Sequence, residues 1–420
     1  MYALGLKRRF LRCASGNILV IAGASMPLII GAGGLAVDTV QWTEWKRELQ
    51  READSASLAG AYALAQTKSV SASATADLSR TGQITLSTTP TIESPPSTGS
   101  YAGNNTAVRV ALQTRRALPF TSMFLSAAPT IGAQATAAVI SNGRYCMQAL
   151  NPSANVGITL QGNATVNLGC GMETNSTGSN AVYAGGSASV TATPIAAVGG
   201  LSPSSNYVSP TTLLPYTIPQ SDPYASLPTP TASNFTSCNN KLSVGPNSSV
   251  SGVTPGCYRG MDIKGTVALN PGVYYIDGDS LTIGSQATLT GTGVTIILTS
   301  STAATTPSSI ATASINGGAT INLTAPTSGT YNGVLFYQDR RAVDTGGSNA
   351  NQINGNASST LQGAFYFPHQ QITFNGTAGM TTNCVQIVAW NITFTGNSTI
   401  NNQCPGGPGG WVGSRVQLVG

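Results

Sequence analysis

Charge is scarce in this chain. Only 8% of its 420 residues are Asp, Glu, Lys or Arg, and it holds one histidine, His369. Low charge alone would suit a disordered chain. Yet 41% of the residues are hydrophobic and recur in short runs of strand type, which describes a folded, β-rich protein with neutral polar surfaces. The net charge of +5 is uneven: residues 1–54 carry seven Lys/Arg against five acids, residues 55–141 five against two, and residues 142–420 seven against seven. No cationic cluster in that largest part could neutralise a phosphate backbone, so no nucleic-acid partner is expected. C-x-x-C is missing, and a lone histidine makes a poor zinc set, so no metal site is expected. Phosphate-binding glycine loops and nucleophile elbows are also missing, which leaves no cofactor to expect.

One long hydrophobic run is present. Ile18 to Val37 is twenty residues without a charge, preceded by Lys7, Arg8, Arg9 and Arg12 and closed by Asp38. As a helix it spans about 30 Å, the thickness of a hydrocarbon core. It is read as an uncleaved transmembrane anchor, a cleaved secretory signal being the alternative. Trp42 and Trp45 suit a membrane interface, and the basic end stays cytoplasmic by the positive-inside rule. The expected anchor residues are Ile18, Pro27, Gly34, Val37, Asp38, Trp42 and Trp45. Apolar and small residues continue at helical spacing through Leu49, Ala53, Ala56 and Ala59, so one helix is predicted over 17–66, after a basic segment 1–16.

In order, the chain shows a basic start, Gly16–Asn17 opening the apolar run, Pro27 within it, Gly34-Leu35-Ala36-Val37-Asp38, and a small-residue run from Ala53 to Ala61. Over roughly residues 8–64 this resembles the N-terminal module of Flp pilus-assembly proteins of the TadE/TadG-like class. The resemblance implies a component of a bacterial tight-adherence pilus system, held in the inner membrane by a single pass with its C-terminal part periplasmic or extracellular. It implies pilus-assembly partners met through the N-terminal helix, at Gly31–Gly34 and Ala53–Ala61. Two features depart from the family. The position five residues after Gly16, where processed prepilins usually carry Glu, is Ile21, and no D-x-S-x-S metal pattern is found.

Residues 67–141 are expected to form a small α+β, pilin-like unit: a polar linker with a candidate strand at Gln83–Ser87, a strand at Thr106–Arg116, a short helix over Ala117–Ser126 and a strand at Thr130–Ser141.

Residues 142–420 repeat themselves. Ile372–Gly376 (ITFNG) matches Ile392–Gly396 (ITFTG), Gly333–Tyr337 resembles Gly363–Phe367, Ile315–Ala319 resembles Ile353–Ala357, and Pro255–Tyr258 resembles Pro271–Tyr274. Short apolar runs separated by Gly, Asn, Ser and Thr, with a quasi-period near 20, predict a parallel β-helix, with a β-sandwich as the alternative. Irregular spacings imply inserted loops. The fold class is therefore mainly β, with an N-terminal transmembrane helix. Six cysteines fall in this region, an even set suited to disulfides in an oxidising compartment. Cys146 and Cys170, Cys238 and Cys257, and Cys384 and Cys404 lie 24, 19 and 20 residues apart, about one coil, and are predicted to pair in that order. Residues 201–236 hold seven prolines, nine with Pro194 and Pro246, and read as an extended surface excursion. Cys404–Gly410 ends the coils, and Trp411–Gly420 is read as a final strand.

The acids of this region are Glu173 and six aspartates. Asp277 and Asp279 lie in a D-G-D turn, Asp339-Arg340-Arg341 with Asp344 reads as a loop, and His369 has no acid near it in sequence. The chain is expected to be a structural protein and not an enzyme, its solenoid offering neutral surface to glycans or proteins. A carbohydrate-binding or carbohydrate-active β-helix and a secreted adhesin are the alternatives.

Overall fold

The computed structural model describes residues 14–344, 351–354, 356, 359–376, 379–402 and 410–420. The chain divides into two units, Met1–Ile140 with Val416–Gly420, and Ser141–Arg415. The last five residues thus return to the first unit: the Thr136 amide donates to the Gly420 carbonyl at 2.5 Å and the Val419 amide to the Thr136 carbonyl at 2.9 Å.

In the first unit, helix α1 runs over Ala14–Ala65 with Pro27 inside it. From Leu49 onward one stripe of α1 is buried, through Ala53, Ala56 and Ala61. That stripe packs with the sheet formed by β1 (Thr91–Glu93), β2 (Ala107–Arg115) and β3 (Thr130–Ala149), all antiparallel. Val108, Val110 and Leu112 alternate inward along β2, the period of a half-buried strand. At Gly60 an added Cβ would overlap Val108, so the small-residue run lets the helix lie close on its own sheet.

Three local expectations change here. Helix α2, Val70–Thr81, forms where the polar composition predicted a linker, with the Ser69 hydroxyl capping the Ala72 amide at 3.3 Å. Gln83–Ser87 is not a strand: the buried Glu52 carboxylate accepts the amides of Gln83 at 2.5 Å and Ile84 at 3.0 Å, which takes those donors out of any ladder. Over Ala117–Ser126 only one 3₁₀ turn forms, Thr121–Met123.

The second unit is built of parallel ladders. The first runs through Leu242–Val244, Met261–Ile263, Leu281–Ile283, Ala313–Ile315, Asn351–Ile353, Ile372–Gly376, Ile392–Gly396, Ile158–Leu160 and Val182–Ala184. A second starts at Ser249–Val253 and ends at Ser189–Thr191, and a third starts at Cys238–Asn239 and ends at Leu213–Leu214. All their pairings are parallel. The core draws on all three, with Ile283, Leu289 and Ile296 as examples from successive ladders. Aromatic pairs stack between neighbouring strands, Phe374 on Phe394 at 5.0 Å and Phe336 on Phe365 at 5.1 Å.

Ladder order is not chain order. Strands from 238–402 come first, and strands from 145–214 are laid on them: Ile392 pairs with Ile158, Thr399 with Thr165 and Ile387 with Met147. The chain enters its own stack in the middle. Residues 201–217 cover the far end, where the Asn206 amide donates to the carbonyls of Gly186 and Ala188, and the Tyr207 hydroxyl to that of Val182. Residues 218–237 then run back along the outside as a strap. Tyr224 packs on Tyr366 at 5.4 Å, the Tyr366 hydroxyl donates to Asp222 at 2.6 Å, and Arg340 donates to the carbonyls of Ala225 and Tyr224.

Candidate functional site

The residues predicted to anchor the chain lie together on α1. Its apolar part stands free of the rest of its unit: Ile18, Ile21, Leu28, Ile29 and Leu35 are all more than half exposed. The most hydrophobic 18-residue window has a mean hydropathy of 1.9 and no buried residue. Apolar surface left open on every side of a helix is costly in water and favourable in lipid. Among the described residues this is the one helix long and apolar enough to cross a membrane, consistent with a single-pass anchor.

Where the apolar run ends, a collar closes on the helix. Asp38 is only 3% exposed. Its carboxylate accepts the backbone amide of Phe120 at 3.0 Å and both the amide and the hydroxyl of Thr121. Three donors on one carboxylate satisfy its charge locally. One turn earlier the Phe120 ring fills the space beside Gly34, where an added Cβ would overlap it. Phe120 in turn meets Phe124, ring centroids 5.4 Å apart. Beyond Asp38, Trp42 is exposed, and the Arg116 guanidinium lies 5.3 Å over the Trp45 ring.

Sequence reasoning missed the collar loop. The signal was present, since Leu118, Phe120, Met123, Phe124 and Leu125 form an apolar cluster in a polar stretch. The small-residue run 53–61, expected to receive partner helices, is largely buried in its own unit at Ala53, Ala56, Ser57 and Ala61.

In the second unit Cys146 is bonded to Cys170, Cα atoms 5.9 Å apart, and Cys238 to Cys257 at 4.5 Å. Cys384 is also disulfide-bonded, while Cys13 and Cys404 lie outside the described residues. Cys238 and Cys257 come close to Asp277, but sulfurs joined to each other are not the thiolates that bind a metal.

The carboxylates are dispersed. Asp277 accepts the Ser301 amide at 2.6 Å. Asp279 pairs with Lys241 at 2.8 Å, which holds the carboxyl below its ordinary range. Asp339 is fully buried and accepts from the Thr299 hydroxyl at 2.7 Å and from the Arg341 guanidinium at 2.6 and 3.0 Å. His369 is exposed, edge-on to Trp390 at 5.9 Å. The most perturbed carboxyl is Glu173, which burial pushes up to about 8. Its Oε1 accepts the Trp411 indole N–H at 2.5 Å, while Oε2 is buried without a partner.

The helix and collar are consistent with a membrane anchor, and the sequence of the helix carries a family match. Residues 16–63 match the Flp pilus-assembly TadE/G-like family. This segment is a Tad domain. It contains every predicted anchor residue from Ile18 to Trp45 and stops two residues short of the end of α1. No curated protein and no solved structure matches the chain. The Tad domain points to a function related to Flp/Tad pili.

Proposed function

We propose that the protein is a membrane-anchored structural component of a Flp/Tad-type pilus assembly or adhesion system. The Tad domain carries the reading, because the matched segment lies in the one helix that, among the described residues, is long and apolar enough to cross a membrane. In this reading the N-terminus is cytoplasmic, and the second unit is a parallel β-helix displayed in the periplasm or beyond. Repeating parallel strands from three ladders around one core favour a β-helix over a sandwich, whose sheets are antiparallel. The role is display or assembly and not catalysis, with pilus-assembly proteins as partners along α1. Support comes from Asp277, Asp279 and Asp339, each of which is engaged by a structural partner, the Ser301 amide, Lys241 and Thr299 with Arg341.

Deleting the gene is expected to abolish or impair pili and surface adhesion, and an unchanged phenotype would overturn the pilus role. Fractionating cells that express a C-terminally tagged chain should leave the full-length protein in the inner membrane. Recovery of a shortened soluble form would favour the secreted adhesin.

A further inference from the structure

We propose that the loop Leu118–Leu125 is a second membrane contact, its tip entering the lipid leaflet beside α1. The proposal rests on the reading of α1 as a membrane anchor and goes beyond it.

Position comes first. The loop is fixed to the helix at two levels, by Asp38 through the Phe120 and Thr121 amides and by Gly34 through the Phe120 ring. Gly34 lies four residues inside the apolar run from Asp38, about 6 Å along the axis. If α1 spans the bilayer, the collar is drawn to the depth at which hydrocarbon begins.

Chemistry comes second. Met123, Phe124 and Leu125 are consecutive and 74%, 73% and 50% exposed. Single exposed apolar residues are ordinary, but three together, continuous with an apolar helix face, mark an interaction surface. No charged residue occurs from Ala117 to Thr130. Arg115 and Arg116 stand at the base of the loop, with Arg116 over Trp45, the arrangement expected at the level of phosphate headgroups.

The backbone supplies the third argument. Entering lipid requires internally satisfied amides. The amides of Ser122, Met123, Phe124 and Leu125 donate to the carbonyls of Leu118, Phe120, Thr121 and Thr121 at 2.9, 3.1, 3.0 and 2.9 Å. The Ser122 hydroxyl donates to the Pro119 carbonyl at 3.1 Å. The amides of the tip are thus satisfied without water.

The test uses the full chain carrying Cys13→Ser, reconstituted in vesicles of phosphatidylethanolamine and phosphatidylglycerol. An environment-sensitive fluorophore is attached at Met123→Cys, at Ile29→Cys within the anchor, or at Ser100→Cys, an exposed site of the same unit. The label at 123 is expected to react with an impermeant aqueous reductant several-fold more slowly than at 100, and to be quenched by lipids bearing a nitroxide on the acyl chain. Exposure at 123 with protection at 29 would overturn the loop contact and leave the anchor standing. Exposure at both would overturn the anchor and the loop contact with it. Protection at 123 without quenching by lipid would assign the tip to a protein neighbour, a second copy of the chain included, and also overturn the proposal.

Discussion

Asp38 and Glu173 are both buried carboxyls, and their surroundings treat them in opposite ways. Asp38 receives three donors from one loop and can hold its charge. Glu173 receives one, and its free Oε2 sits on the strand next to Gln148, whose Oε1 is also buried and unpaired. A proton on Glu173 removes the charge from its buried, unpaired Oε2. The carboxyl is held up to about 8 by burial, against ~4.3 in an unfolded chain, so the folded form binds one more proton between those values. Stability then falls as pH rises through that window, by ~1.4 kcal/mol per unit at most, and levels off above it. Glu173→Gln is uncharged at every pH and keeps an acceptor for Trp411. It should flatten the fall in thermal midpoint between pH 5.5 and 8 and raise the midpoint at the alkaline end; a slope equal to wild type would refute the neutral carboxyl. The sequence marked Asp38 because it closes a hydrophobic run. It could not mark Glu173, whose partner Trp411 is 238 residues away.

The strap shows the same limit at the scale of an element. Seven prolines between Pro203 and Pro230 already say that residues 201–236 cannot form one continuous ladder strand, since proline brings no amide donor, and only Leu213–Leu214 joins a ladder. They do not say what the segment lies on. In the fold it covers an outer aromatic patch containing Tyr337 and Tyr366, and Arg340 and Arg341 clamp it through the carbonyls of Ala225 and Pro230 at 2.6 and 2.9 Å. Arg340 also lies 5.5 Å over the Tyr366 ring. Bonds from a charged donor are worth ~1.5–3 kcal/mol each. Arg340→Ala should therefore loosen the strap locally and speed limited proteolysis within 218–237, with much less effect on the rest of the unit. Cleavage at an unchanged rate would show that the aromatic packing suffices.

Across the whole molecule, the repeats were readable and their order was not. Ile372–Gly376 and Ile392–Gly396 pair residue for residue, as their likeness implies. The likeness of Pro255–Tyr258 to Pro271–Tyr274 misleads by two positions: Gly256 pairs with Tyr274 and Cys257 with Tyr275. A shift of two preserves which side chains face the core, so the hydrophobic pattern cannot detect it. Likewise no local signal reveals that strands from 385–402 lie beneath strands from 145–168. A protease site inserted between Pro203 and Ser204 tests that seam. The two fragments should remain together in size exclusion under native, reducing conditions, because the ladders join them. Separation would refute the order of the stack.

That order also carries a timetable. Asn163 meets Asn397, 234 positions later, and the contacts around them close together. If the part that follows the anchor is exported in chain order, its earliest coils appear with one edge bare and must wait for nearly the last residues before anything covers it. Contacts so distant in sequence form slowly, and an open parallel edge invites neighbours in the meantime. A growing population of these chains on one membrane would be most exposed to mispairing while half delivered, which makes the minutes after synthesis, rather than the finished protein, the stage most in need of a chaperone.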